Sequence, residues 1–333
     1  MNIFKRHVCC FMSVFALSTV LFSRAEKPEN LRPVEYNLKK LVKQAAIGFI
    51  APPVLFGQDG NPMEVDPDGK VHAVPSMGSI TYNFRTGDSA YDLAGEHIEP
   101  AVSLYNLGVS RSRTSPESFS LNVLSCIGNS VRVISGEAKG AEGIVVGKHG
   151  GIEHVMVDFA DGSVFEKLII GDMMQVYTCG LGLELENVEG VRAINVSPFL
   201  MEALTKAGMG VTQEGKLRLP VALIVPAKIM GAGLGANHTY KGDYDIQLFD
   251  DKVIKEFNLD KIRFGDLVAI LDADHSFGRI YRTGAVTVGA VVHSSSHVAG
   301  HGPGVTTLFT SAEGNIEVVR DRQANLAFLF GLK

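Results

Sequence analysis

From residue 41 onward, short apolar runs alternate with glycine, proline and aspartate turns, the rhythm of strands rather than of amphipathic helices. In the first half the stretches 41–50, 79–84, 121–127, 131–135, 143–146, 154–159, 164–170 and 173–177 predict strands. In the second half, 217–227, 266–271, 285–292, 305–310 and 316–319 do the same. Asp161-Gly162 predicts a hairpin turn, residues 57–62 and 66–69 are dense in turn formers, and 111–118 reads as a surface loop. Pro220 and Pro226 assign 217–227 to a sheet edge, because proline cannot donate to a ladder. Helices are few. Ser197 is a good N-cap, Pro198 suits the first helical position, and Leu200, Ala203, Leu204 and Ala207 share one face before Gly208. A second short helix is expected over 251–257. The pattern predicts a mainly β (β-rich α+β) chain in two parts, a β domain over 41–179 and a β-rich domain over 180–333.

Composition changes this picture at one end. Lys5, Arg6 and His7 precede the apolar run 8–22, and Ser23 and Ala25 supply the small residues of a cleavage site. Residues 1–25 therefore read as a secretory signal peptide, followed by a polar leader over 26–40, and the mature protein is expected to be exported, periplasmic or extracellular. No later run is apolar enough to predict a membrane span. Without the signal the chain carries 28 basic and 36 acidic residues, a net charge of −8, which argues against nucleic acid as a partner. Cys126 and Cys179 remain, either as one disulfide or as two small buried hydrophobes.

Candidate chemistry gathers between Gly265 and Val305. Asp272, Asp274 and His275 follow an apolar strand, where alternation places the two carboxylates on one face; an Asp-rich turn is the plainer alternative. His293, His297 and His301 are spaced by four, and imidazole is a common ligand of divalent metals. Their serine- and glycine-rich surroundings predict a strand end and loop rather than a helix. In the first half His97 and Glu99 form a further candidate pair, whereas His149 and His154 read as satisfied barrel residues. Gly231 and Gly233 open a glycine loop after an apolar strand, with Asp243 and Asp245 just downstream. The residues after that loop do not form a helix, so no dinucleotide site, and no nucleotide cofactor, is expected. The loop is a candidate ligand-binding backbone instead.

Within 128–146, Gly128, Val131, Val133, Gly136, Lys139-Gly140 and Gly143-Ile-Val-Val resemble the KOW motif of SH3-like barrels, which implies a barrel over about 128–178. More widely, Ser79-Ile-Thr-Tyr, Gly87-Asp-Ser-Ala-Tyr, Glu99-Pro100, Leu124-Ser-Cys-Ile-Gly-Asn, Gly147-Lys-His-Gly-Gly, Asp243-Tyr-Asp-Ile and Ala299-Gly-His-Gly-Pro-Gly-Val resemble a bacterial and archaeal family of domains of unknown function. That family has an N-terminal and a C-terminal domain and is typified by a hypothetical thermophile protein from structural genomics. The resemblance implies a mostly β, two-part architecture. His97, Glu99, Cys126, His149, Asp272, Asp274, His293 and His301 fit its pattern, and His275 and His297 do not belong to it securely.

The expected function is metal-dependent hydrolysis of a small amide or ester-like metabolite. His97, His293 and His301 would hold a divalent metal, with Asp272, Asp274 and Glu99 as catalytic carboxylates. Cys126 is a secondary nucleophile candidate, in an apolar setting that favours an inert thiol. The competing expectation is an exported ligand-binding or homo-oligomeric assembly protein without catalysis. Either way the partner is a small molecule or a second copy, not nucleic acid or, for the mature form, a membrane.

Overall fold

The structure is a computed structural model that describes residues 30–55, 63–233 and 239–333. The signal-like segment 1–25, the turn at 57–62 and the last part of the glycine loop after Gly233 lie outside the described residues.

Six strands close into an antiparallel barrel: β1 (Gln44–Ile50), β2 (Ala101–Tyr105), β3 (Ser130–Val133), β4 (Glu142–His149), β5 (His154–Asp158) and β6 (Met173–Thr178). Their order is β1-β6-β3-β4-β5-β2, and β2 returns to β1 with Phe49 opposite Tyr105 and Ile50 opposite Leu104. Closure removes the exposed edges that an open sheet would leave. Alternation does the sorting: along β3 the buried positions are Val131 and Val133, and along β6 they are Met174, Val176 and Thr178. The four apolar ones meet Ile50, Leu104, Val145, Val155 and Val157 in the core, each aliphatic burial contributing about 1.5–3 kcal/mol. At the β3–β4 corner, Gly136 has φ +68° and a Cβ there would strike the Asp172 carboxylate, so the corner needs glycine for both reasons. The KOW-like segment thus builds one side of a real barrel.

The second layer is a mixed sheet of β7 (Leu223–Pro226), β8 (Met230–Gly233), β9 (Tyr244–Ile246), β10 (Leu267–Asp274), β11 (Ile280–Val291) and β12 (Gly304–Ser311). The order is β7-β10-β11-β12-β9-β8, parallel only between β7 and β10, with Arg192–Ala193 added against β12. A three-stranded sheet joins Gly210–Val211, Leu217–Val221 and Ile316–Arg320. The stretch 217–227, expected as one edge strand, is therefore two. Its second half, ending at Pro226, is the true edge.

Helix α2 (Pro198–Lys206) starts as predicted, with Ser197 Oγ accepting from Leu200 N at 3.1 Å. Helix α3 (Asp251–Phe257) also matches, capped by Asp250 and ended by Asn258 in the left-handed region. Three further expectations fail. Residues 121–127 do not form a strand, because Ser115 caps and Pro116 opens helix α1 (Pro116–Leu124), which runs through the start of that apolar run. Asp161-Gly162 makes no hairpin: Asp161 caps a 3₁₀ turn at Gly162–Glu166, and this turn and its exit replace the strand expected over 164–170.

Residues Leu31–Lys333 form one compact unit. The barrel and the second sheet meet where β4 ends. Lys148 is fully buried there, donating from Nζ to Asn195 Oδ1 and the Tyr240 carbonyl at 2.9 Å each, while its own carbonyl accepts from Thr306 Oγ1. Burial pushes this ammonium down to about 8. The segment before β2 lies against the same junction, through Ile98 N to Ser294 Oγ and Ser294 N to Ile98 O, both 2.9 Å. No helix among the described residues is long and apolar enough to cross a membrane.

Candidate metal centre

The side chains of the site sit on short strands, at strand ends or in loops touching them. His149 is the last residue of β4, Asp245 lies within β9 with Asp243 just before it, and His293 follows β11. His301 approaches β12, and His97 belongs to the loop before β2, with φ +52°. A non-glycine residue held in the left-handed region is costly, and surrounding structure must over-determine it. Here Glu96 does so: its Oε1 lies 2.7 Å from His97 Nδ1, and its carboxylate also accepts from Ser296 Oγ and His297 N.

The other imidazoles are oriented in the same manner. His149 Nδ1 meets Glu99 Oε1 at 2.5 Å, and His293 Nδ1 lies 3.0 Å from the Ser294 carbonyl. With Nδ1 engaged outward, the Nε2 atoms turn inward. His97 Nε2 stands 3.1 Å from His301 Nδ1 and 3.7 Å from Asp245 Oδ2, and His301 Nδ1 is 3.0 Å from that same oxygen. His293 Nε2 lies 2.8 Å from Asp243 Oδ2 and 3.6 Å from Asp245 Oδ1. Ligand-capable atoms fall into three groups, each within 4.8 Å: His97, His149 and His293; His97, Asp245 and His301; Asp243, Asp245 and His293. Hydrogen bonds from Nδ1 to carboxylates or carbonyls are the usual second layer of histidine metal sites, fixing ring and tautomer.

His293 decides how this arrangement reads. A carbonyl oxygen only accepts, so Nδ1 must carry its proton toward Ser294. In neutral imidazole the Nε2 lone pair would then face the Asp243 carboxylate. Something positive has to stand between them, either a second proton or a metal cation. Burial alone would lower the pKa of His293, but Asp243 and Asp245 outweigh it and raise the group well above its ordinary value. Burial likewise opposes the charge on Asp245, yet His293, His301 and His97 hold it well below the carboxylate range. Glu99, buried between His154 and His149 and bonded to Gly78 N and Ser103 Oγ, is also held ionised against its desolvation. His149 is lowered by burial and by the charge of His293, which keeps its inward nitrogen unprotonated.

His97, His149, Asp243, Asp245 and His301 floor a cavity of about 1320 Å³, with His293 and Glu99 buried behind them. Its walls include His154, Ile152, Met77 and Tyr105, with Arg111 and Arg113 on the loop before α1. The backbone comes close on one side because β12 begins with glycine: a Cβ on Gly304 would collide with both Asp243 Oδ2 and His293 Nε2. Gly304 in the Ala299-Gly-His-Gly-Pro-Gly-Val motif is therefore a packing requirement of the site.

Two family descriptions match this chain: Domain of unknown function (DUF4438), N-terminal, over residues 63–202, and DUF4438, C-terminal, over 206–330. The chain belongs to the DUF4438 family. Among solved structures it is similar to the crystal structure of TM1086, with 40% identity, a TM-score of 0.79, and coverage of 88% of this chain and 98% of that one. No curated protein matches. On the DUF4438 boundaries, Glu96, His97, Glu99, His149 and His154 come from the N-terminal region, and Asp243, Asp245, His293 and His301 from the C-terminal one. Neither region holds the site alone.

Of the residues singled out in the sequence, His97, His293, His301, Asp243 and Asp245 converge, with Glu99 behind them. Gly233 lines the cavity, while Gly231 is packed against the Gly300 backbone. His297 leaves the ladder of three to stack on His72, with ring centroids 3.9 Å apart. Asp272 and Asp274 are not among the converging groups and do not line the cavity. Alternation fails there because the register shifts between Leu271 and Ala273, with Asp272 at φ +61°. Asp272 accepts from Gly284 N and Asp274 from Ser276 N. His275 is buried under Tyr244 and bonded to Thr307 Oγ1. Cys126 and Cys179 are free, and burial pushes the Cys126 thiol up to about 11, which suits an inert core residue. Sequence reasoning missed His149, His154 and Glu96; a histidine between glycines in Gly147-Lys-His-Gly-Gly was the available signal for the first.

Proposed function

We propose that this protein is an exported, metal-dependent hydrolase of a small ester or amide that carries an anionic group. The observation that carries this reading is the set of imidazoles whose Nδ1 atoms face fixed acceptors while their Nε2 atoms converge beside Asp243 and Asp245. His97, His149 and His293, joined by Asp243, Asp245 and His301, are the ligand set. A divalent cation in such a site supplies Lewis acidity and lowers the pKa of water.

The remaining residues have roles that follow from their placement. His154 lines the cavity with its Nδ1 held by Glu99 at 2.9 Å, leaving Nε2 as the group that takes or gives a proton at the reacting atoms. Glu99 positions His149 and His154 without touching the substrate, being fully enclosed. Arg111 and Arg113 line the cavity, where they suit a carboxylate or phosphate on the substrate. Export rests on the segment 1–25, with its basic start and apolar run.

Elemental analysis of the protein purified without chelator or affinity histidines tests the reading, beside a His293→Ala/His301→Ala variant. Near-stoichiometric metal in the wild type, lost in a folded variant, is the expected result. A wild type that stays metal-free after incubation with zinc and manganese salts would sink the hydrolase and leave a non-catalytic ligand-binding protein as the better description.

A further inference from the structure

The two oxygens of Asp245 look into different donor sets. Oδ1 faces His293 Nε2 at 3.6 Å, and that nitrogen is 2.8 Å from Asp243 Oδ2. Oδ2 faces His301 Nδ1 at 3.0 Å and His97 Nε2 at 3.7 Å, and those two nitrogens are 3.1 Å apart. With metal–ligand bonds of about 2.1 Å, adjacent donors on one ion stand about 3 Å apart and opposite ones about 4.2 Å apart. Each set therefore has the spacing of donors around its own cation. A carboxylate that serves both is the usual bridge of a paired site, in which ions lie about 3.5–4 Å apart.

Charge points the same way. Asp243 and Asp245 enter the site directly, and Glu96 and Glu99 stand behind His97 and His149; all four are buried. One dication would leave an excess of buried negative charge, which is expensive in a low-dielectric interior, whereas two dications balance the four carboxylates.

We propose that the centre is dinuclear. One cation is held by Asp243, Asp245 Oδ1 and His293, and the other by Asp245 Oδ2, His97 and His301, with His149 placed to complete the shell near His97 and His293. This rests on the metal-binding reading above and adds a second ion, a stoichiometry and a bridging residue to it. Asp245 is a positioning residue that fixes the separation of the pair.

The test is metal titration of the chelator-stripped protein with manganese(II), read by equilibrium dialysis with elemental analysis and by electron paramagnetic resonance. Two ions per chain and a spin-coupled spectrum are expected. His301 is one-third exposed, so His301→Ala is the variant least disturbing to the fold; it should drop the ratio from two to one and replace the coupled spectrum with that of an isolated ion. One ion per chain in the wild type, with an isolated-ion spectrum at saturation, overturns the dinuclear centre while leaving a mononuclear one standing. No binding at all removes both readings.

Discussion

The C-terminal ends of β10 and β11 carry the same kinds of side chain, aspartates and a histidine close in sequence or across the sheet, and they have opposite fates. After β11, His293 spends its Nδ1 on a carbonyl and turns Nε2 toward Asp243 and Asp245, two carboxylates that have further donors facing them. At β10, Asp272 closes on Gly284 N, Asp274 on Ser276 N, and His275 on Thr307 Oγ1. The first arrangement leaves ligand atoms aimed at one another, which only a proton or a cation resolves. The second satisfies its carboxylates locally with backbone amides and ties its histidine to a threonine hydroxyl. A dense patch of Asp and His becomes a site when its outward atoms are engaged and its inward atoms converge.

Glu99→Gln should break the convergent side with the largest effect. The carboxylate holds both His149 and His154, and an amide can accept from one but presents an NH₂ group to the other. Loss of such an orienting partner typically weakens metal binding about 10- to 100-fold. Competition against a chelating indicator would measure it. Unchanged affinity would mean that Glu99 is only a buried structural ion and that His149 is not a ligand.

How much of this was legible in the sequence depends on the range over which the information is stored. The β architecture could be read because alternation is local: Val131 and Val133 point inward whatever the rest of the chain does. Helix α1 was misread because an apolar run such as 121–127 has no period of its own, and its start signal, Ser115-Pro116, sat in what looked like a loop. The site was half legible. His293 and His301 stood out beside apolar strands, His97 through its pairing with Glu99, and Asp243 and Asp245 just downstream of the glycine loop. His149 and His154 looked like barrel residues because nothing local says that one end of β4 and β5 abuts the second sheet. Their shared partner, Glu99, lies about fifty residues away in sequence, a pairing that the closed barrel makes and no spacing encodes. Asp272 and Asp274 show the reverse error: perfect alternation in sequence, cancelled by a register shift between Leu271 and Ala273.

His275→Gln sharpens the other side of the comparison through pH. Burial pushes His275 down to about 3 from its ordinary 6.5. The unfolded chain therefore takes up a proton at this residue near pH 6.5, and the folded chain does not until about pH 3. Protons favour the unfolded state throughout that window, so this residue's contribution to stability is intact above pH 6.5 and is lost progressively as pH falls. By pH 5 the loss is about 2 kcal/mol. Glutamine can still bond Thr307 Oγ1 and does not titrate, so denaturant unfolding of the variant should lose less stability than the wild type between pH 7 and pH 5. Parallel pH profiles would show that His275 is not the buried neutral base described.

Asp272→Asn should have the smallest effect, and its smallness is informative. Asparagine tolerates the left-handed backbone at φ +61° and keeps an oxygen for Gly284 N, so the loop closure survives the loss of charge. Stability should change by less than about 0.5 kcal/mol, as at an ordinary surface site. Metal content should not change at all. A carboxylate ligand replaced by its amide forfeits the charge that binds the cation, so a variant that lost metal would place Asp272 in the centre and dissolve the contrast between the two strand ends. Retention of full metal by Asp272→Asn, beside its loss in His293→Ala/His301→Ala, would show that two patches with the same kinds of side chain differ in function because of where their ligand atoms point.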